Sequence, residues 1–230
     1  MWVLDNKEIR GAMKAKVWLK NKKTNERALF KPDTDDESIR SIAFYQVCVH
    51  LGIDCAKTEL YKYKRQKGCL SYDVGHRRLI ANEAAELDIK SGSSFIQGVK
   101  DISFADLESS LTDNVKIKFA DMVYVDVLLR NTDRHSGNFK LLLDRTGAIV
   151  DLLGLYDNDE ILRERFSELS YFRWDTTSVE PLYEIIKKPY NLYPARIKEL
   201  VSKSSTLPNT INYYDIIMRR LEKIKEILMI

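Results

Sequence analysis

An apolar, helix-length stretch that breaks into a knot of polar residues and then a hairpin constrains this chain more than any other feature. From Val115 to Leu129, apolar residues recur at 3- and 4-residue spacings through Phe119, Met122, Val123 and Val127, which predicts a buried helix. The pattern then stops. Asn131-Thr132-Asp133 and Ser136-Gly137-Asn138 are turn formers whose side chains bond the backbone, so a tight, ordered loop is expected there. Phe139 to Leu143 and Ala148 to Leu153 are short apolar runs separated by Asp144-Arg145-Thr146-Gly147, the pattern of a β-hairpin. Such a hairpin returns the chain to its starting point, so Asp157 is expected to approach Asp133 and Asn138 in space.

A carboxylate, an amide and a second carboxylate converging in this way suit phosphoryl transfer from a nucleotide. That reaction asks for one acid to orient or accept the proton of the attacking hydroxyl, and for oxygen ligands to a Mg²⁺ that bridges the phosphates. Asp133 is the candidate base, and Asn138 and Asp157 are the candidate metal ligands. A D-x-H-x-x-N match alone has low specificity; the following hairpin and second Asp raise it. The structural alternative makes Asp133 and Asn138 turn-capping residues and His135 a satisfied core histidine.

N-T-D-R-H-S-G-N-F followed by L-Y-D resembles the catalytic loop and metal-binding Asp of the HipA-like serine/threonine kinases, relatives of the phosphatidylinositol kinase-like group. The resemblance implies that Asp133 is the catalytic base, that His135 and Asn138 border the nucleotide, and that Tyr156-Asp157 is the counterpart of the eukaryotic D-F-G. It further implies ATP and Mg²⁺ as cofactors, a protein substrate offering a Ser or Thr hydroxyl, and an antitoxin-like regulatory protein as a potential partner.

The N-terminal third reads as the small lobe of such a fold. Lys14 to Lys20 alternates, with Ala15, Val17 and Leu19 on one face, and Arg27 to Lys31 is its expected hairpin partner across the polar turn Asn21 to Glu26. Gly11-Ala12 before the first strand is a small-residue approach that suits either a phosphate or a simple turn. Lys31 closes the second strand before Pro32, and Thr34-Asp35-Asp36-Glu37 is read as a capping box opening a helix that Gly52 stops, with Ile39, Ile42, Ala43 and Val47 inward. Strand, Lys, helix is the order that places a phosphate-binding Lys beside an acidic partner in kinases. Strands are expected at Lys57 to Lys64 and Gly68 to Val74, with Gln66-Lys67-Gly68 as the turn, and another at Arg78 to Ala81. On the resemblance, Gly11, Lys16 and Lys31 face the nucleotide, and Tyr72, Asp73 and Val74 present backbone to the adenine.

Residues 83–112 read as short helical pieces around the loop Ser91-Gly92-Ser93-Ser94, and everything after Asp159 reads as helical. Helices are expected at Ile161 to Phe172, Val179 to Lys188, Pro194 to Ser202 and Thr210 to the end, punctuated by Pro181, Pro189 and Pro194. The expected fold is α+β, bilobal and protein-kinase-like. A small antiparallel β lobe with one helix spans residues 1–74, and a mainly helical large lobe spans 75–230.

Three departures from the family pattern stand out. The acidic residue expected in the middle of the small-lobe helix is Ser41, with Glu37 one turn earlier as a possible substitute; Glu8 stands where toxin kinases often carry a regulatory serine; and the extra N-terminal domain of the HipA toxins is not expected.

Composition bounds the rest. With 44% hydrophobic and 31% charged residues, the 230-residue chain can bury a core as one domain or as two lobes about a cleft. The net charge of +3 comes from interleaved Lys and Glu rather than a basic block, which argues against direct nucleic-acid binding. Cys48, Cys55 and Cys69 lack metal spacing and read as reduced packing residues, and no apolar run approaches the ~20 residues of a membrane span, so a cytoplasmic location is expected. Two other function classes compete with the kinase. A metal-dependent phosphodiesterase would use the same Asp, His and Asn without needing Lys31, and a catalytically idle kinase-derived binding module would explain Ser41.

Overall fold

The computed structural model describes residues 1–5, 16–33, 36–75, 88–91, 111–131, 133–134, 138–156, 158, 161–162 and 183–230. Five strands form one antiparallel sheet: β1 (Trp2–Leu4), β2 (Val17–Asn21), β3 (Arg27–Pro32), β4 (Thr58–Tyr63) and β5 (Gln66–Tyr72), in the order β1-β2-β3-β5-β4. One face buries Leu19, Ala28, Phe30 and Leu70 beneath Trp2, Val17, Tyr61, Tyr63 and Tyr72. β1 was not expected: three residues are too few for a periodic signal, and pairing with Leu19 to Asn21 alone defines the strand.

The β4–β5 turn is Lys64-Arg65, not Gln66-Lys67-Gly68. Both turn residues take positive φ (44° and 69°), the primed geometry that follows strand twist, here without glycine. Gly68 instead lies within β5, opposite Pro32, where an added Cβ would stand 2.1 Å from the carbonyl oxygen of Lys31. Backbone cannot swing aside, so Gly68→Ala is expected to cost about 1–3 kcal/mol by overpacking, read as a lower urea midpoint at unchanged m-value.

α1 (Glu37–Leu51) connects β3 to β4. Its first turn is not the expected capping box. Glu37 is the first helical residue, Asp36 precedes it at φ 60°, and the Ser38 amide donates to Asp33 Oδ1 at 3.1 Å; Thr34 lies outside the described residues. The C-terminal stop is as expected, with Gly52 at φ 73° and the Ile53 amide bonded to Cys48 O. The inward face is rotated from the one expected: Ala43, Phe44, Val47, Cys48 and Leu51 are buried, whereas Ile39 and Ile42 are only partly so.

The main core gathers around α2 (Asp113–Leu128), buried on nearly every side through its last three turns. Against it pack α3 (Lys187–Leu192), α4 (Pro194–Ser204) and α5 (Tyr214–Leu228), the last burying Ile217, Leu221, Ile224 and Leu228. Pro189 falls inside α3 rather than ending a helix, but in its first turn, where no intrahelical N–H bond is lost. Polar ties fix the bundle: Arg196 forks onto both oxygens of Asp121 at 2.8 Å, and Tyr124 Oη meets Ser204 Oγ at 2.7 Å. His50, at the end of α1, reaches Lys203 O and Thr206 Oγ1 beside the end of α4.

A second sheet joins β6 (Asp88–Ser91), β7 (Phe139–Leu143) and β8 (Ile149–Leu155), all antiparallel. The hairpin β7–β8 is the one expected, two residues longer at its end. β6 takes in Ser91, the first residue of the loop read there, while residues 92–94 lie outside the described residues: Asp88 to Ser91 carry no alternation that marks a strand, and β7 supplies its partners. The expected strand at 78–81 and the helix at 161–172 fall largely or wholly outside the described residues. The two sheets meet where Cys55 bridges Leu155, through Ala56 N–H to Leu155 O at 2.7 Å and Leu155 N–H to Asp54 O at 3.1 Å. All three cysteines are buried thiols, and burial pushes the Cys48 thiol well up, assisted by its hydrogen bond with Cys55. Among the described residues no helix is long and apolar enough to cross a membrane.

Candidate active site

α2 ends by a left-handed turn. Arg130 takes φ 49°, the position glycine commonly fills, and the Asn131 amide closes onto Asp126 O at 2.8 Å. The next residues are pinned alternately to the interior. Asn131 is buried and donates Nδ2 to Asp126 Oδ1 at 2.8 Å, while its own Oδ1 accepts the Asp133 amide at 3.3 Å. Arg134 is wholly buried. Asp133 between them is exposed.

Asn138 closes the loop. It is 3% exposed, and its Nδ2 donates to Asp133 O at 3.0 Å, so Oδ1 is the remaining polar atom of the amide. A hard oxygen donor in that position suits Mg²⁺. Asn138 O also accepts the Tyr156 amide at 3.2 Å, which brings the end of β8 against the start of β7. Asp133 and Asn138 are thus brought together, and Tyr156 and Asn158, the neighbours of Asp157, are joined to the same loop. Gly11, His135 and Asp157 lie outside the described residues.

The strand that follows leads to the crossover from the five-stranded sheet. Lys140 on β7 bonds Asp73 Oδ1 at 2.5 Å, and the same ammonium lies 5.7 Å from the centre of the Tyr156 ring. Asp73 is buried, receives the Gly75 amide on Oδ1, and donates its own amide to Arg27 O; the Tyr72 amide is bonded to Lys57 O. Val74 packs on β8 at Gly154, where an added Cβ would stand 3.0 Å from Val74 Cγ1 and 3.3 Å from Cys55 backbone. Phe139 pairs with Leu155 and Lys140 with Leu153, so Gly154 is the bulged residue that lets this approach occur.

Lys31 lies on β3 and is 4% exposed. Val17 pairs with Phe30, so Lys16, just before β2, stands at the same end of the β2–β3 ladder. Glu37 and Ser41 are both buried on α1, and the Ser41 hydroxyl finds no hydrogen-bond partner among the described residues.

No protein-family model matches the chain, and no curated protein matches it in sequence. Solved structures match it in fold. The chain is similar to the proinflammatory kinase CtkA of Helicobacter pylori, at 17% identity and TM-score 0.61, covering 98% of this chain and 92% of that one. It is also similar to HipA of Shewanella oneidensis MR-1, from a complex of the HipA–HipB toxin–antitoxin system with operator DNA, at 14% identity and TM-score 0.52, covering 100% of this chain and 68% of that one. The chain has a HipA-like kinase fold.

Within this HipA-like fold, sequence reasoning passed over Arg134, Asp126, Asn158 and Lys140. Arg134 sits in a run of polar residues and reads as solvated. The available signal was Asp126, a carboxylate inside an otherwise apolar helix, which burial forces to find a partner. Asp121 carried the same signal for Arg196.

Proposed function

We propose that the chain is an ATP- and Mg²⁺-dependent kinase that transfers the γ-phosphoryl group to a Ser or Thr hydroxyl of a protein. The observation that carries this reading is the exposed Asp133 held on a loop whose Asn138 is bonded to Asp133 O and whose far side joins Tyr156 and Asn158. Asp133 accepts the proton of the attacking hydroxyl. Asn138 Oδ1 and the Asp157 carboxylate would hold Mg²⁺, which neutralises charge developing on the phosphate oxygens. Lys31, with Lys16 at the same ladder end, meets the phosphates, Gly11 lies beside them, His135 borders the nucleotide, and the backbone of Tyr72 to Val74 faces the adenine. Residues 1–74 act as the nucleotide-binding lobe and 75–230 as the catalytic lobe. A HipB-like antitoxin partner is part of this proposal, motivated by the HipA–HipB complex among the structural neighbours.

The test is incubation with γ-labelled ATP and Mg²⁺, followed by phosphoamino-acid analysis of the chain and of added proteins. Label on Ser or Thr supports the reading. Saturable ATP binding with no transfer favours the idle binding module instead, a reading supported by Ser41 standing on α1 where an acid is expected.

The burial of both Lys31 and Glu37 supports an ion pair in which Glu37 takes the place of the acid missing at Ser41. Lys31→Met and Glu37→Gln are each expected to lower turnover about tenfold or more at near-parent thermal stability, with the double variant no worse than the poorer single one, as coupled residues behave. Full activity of Glu37→Gln would leave Lys31 without an acidic anchor on α1.

A further inference from the structure

Arg134 is completely buried, and each of its five N–H donors has an acceptor. Nε bonds Asp126 Oδ2 at 2.8 Å, Nη2 bonds Asp126 Oδ1 at 3.0 Å and Asn158 Oδ1 at 2.6 Å, and Nη1 bonds Asn138 O at 2.9 Å and Tyr156 O at 3.3 Å. Two of these acceptors belong to α2, one to Asn138, and two flank Asp157. We infer that Arg134 is a positioning residue that sets metal affinity, by tying Tyr156 and Asn158, the chain neighbours of Asp157, to the loop of Asp133 and Asn138 with Asn158 as its hook. This rests on the kinase reading of the site.

The charge arithmetic separates this role from an electrostatic one. The Asp126 carboxylate neutralises the guanidinium within a bidentate pair, and neither side chain reaches solvent, so Arg134 adds no net charge to a nucleotide. Its effect has to pass through geometry. A planar fork with five donors can join α2, the loop, Tyr156 and Asn158 at once, whereas a lysine has three donors on one atom and cannot span them. If Asn138 and Asp157 share a metal as proposed, loosening the ties on Tyr156 and Asn158 would weaken that metal and leave contacts to the adenine and phosphates elsewhere intact.

Arg134→Lys risks misfolding, so the informative variant is Asn158→Ala, which removes one acceptor and leaves four. Calorimetric titration with ATP over a range of Mg²⁺ is expected to show the Mg²⁺ requirement rising about tenfold, within the range typical of partners that orient metal ligands. Metal-free ATP affinity and thermal midpoint should stay near the parent's, and Asn158→Asp, which retains the acceptor, should recover most of the loss. Superimposable Mg²⁺ curves for parent and Asn158→Ala would overturn the inference, as would equal weakening of metal-free and metal-loaded binding. Hydrogen exchange of the Tyr156 amide, bonded to Asn138 O, reads the same hook without ligand. Faster exchange in Asn158→Ala is expected, and unchanged exchange would overturn the hook even in a chain that binds no ATP, an outcome that sinks the kinase reading separately.

Discussion

Asp133→Asn is expected to lower phosphoryl transfer by about 10²–10⁴-fold, the range for losing a positioned general base, while ATP affinity changes by less than about twofold. Asn keeps the shape and the exposure of the side chain but cannot accept the proton. The backbone contacts of residue 133, its amide to Asn131 Oδ1 and its carbonyl from Asn138 Nδ2, do not depend on the carboxylate, so the loop should survive. Single-turnover transfer beside equilibrium nucleotide binding separates the two quantities. A variant that lost binding on the same scale would place Asp133 on the nucleotide rather than on the acceptor.

The largest effect on stability is expected from Asp126→Ala. Both members of the Asp126–Arg134 pair are 0% exposed, so removal of the carboxylate leaves a guanidinium without its counter-charge in the interior. Breaking such a pair costs about 3–5 kcal/mol, against a total stability of ~5–15 kcal/mol for a native domain. The Asn131 side chain loses the acceptor of its Nδ2 at the same time, so the loop loosens together with the fold. Chemical denaturation at neutral pH reads the loss directly. A midpoint close to the parent's would mean that water or another carboxylate reaches Arg134.

Legibility followed the type of signal. Long apolar runs bounded by turn residues were readable: the helix at 113–128, the helix stopped by Gly52 and the 139–155 hairpin lie close to where apolar spacing and turn residues put them. Strands defined by their partners were not, since Trp2–Leu4 and Asp88–Ser91 become strands only because β2 and β7 offer edges. Gly68 misled because glycine serves both in turns and in close backbone approach, and the choice is made by Lys31 O across the sheet. Around the proposed site, the nearness of Asp133 and Asn138 was readable from their spacing, and the structure joins them through Asn138 Nδ2 and Asp133 O. Arg134 was not, because its five acceptors are drawn from segments 4 to 24 residues away and include two carbonyls, which a one-dimensional pattern does not display.

The main-chain bonds of Asp54 and Ala56 to Leu155, together with His50 on Lys203 and Thr206, tie the C-terminal end of α1 to the second sheet and to α4, while the Ser38 amide on Asp33 Oδ1 ties its first turn to the end of β3. Held at both ends, the helix works as a strut. Its fifteen residues at about 1.5 Å each carry a displacement of residues 52–56 over roughly 21 Å to the buried Glu37.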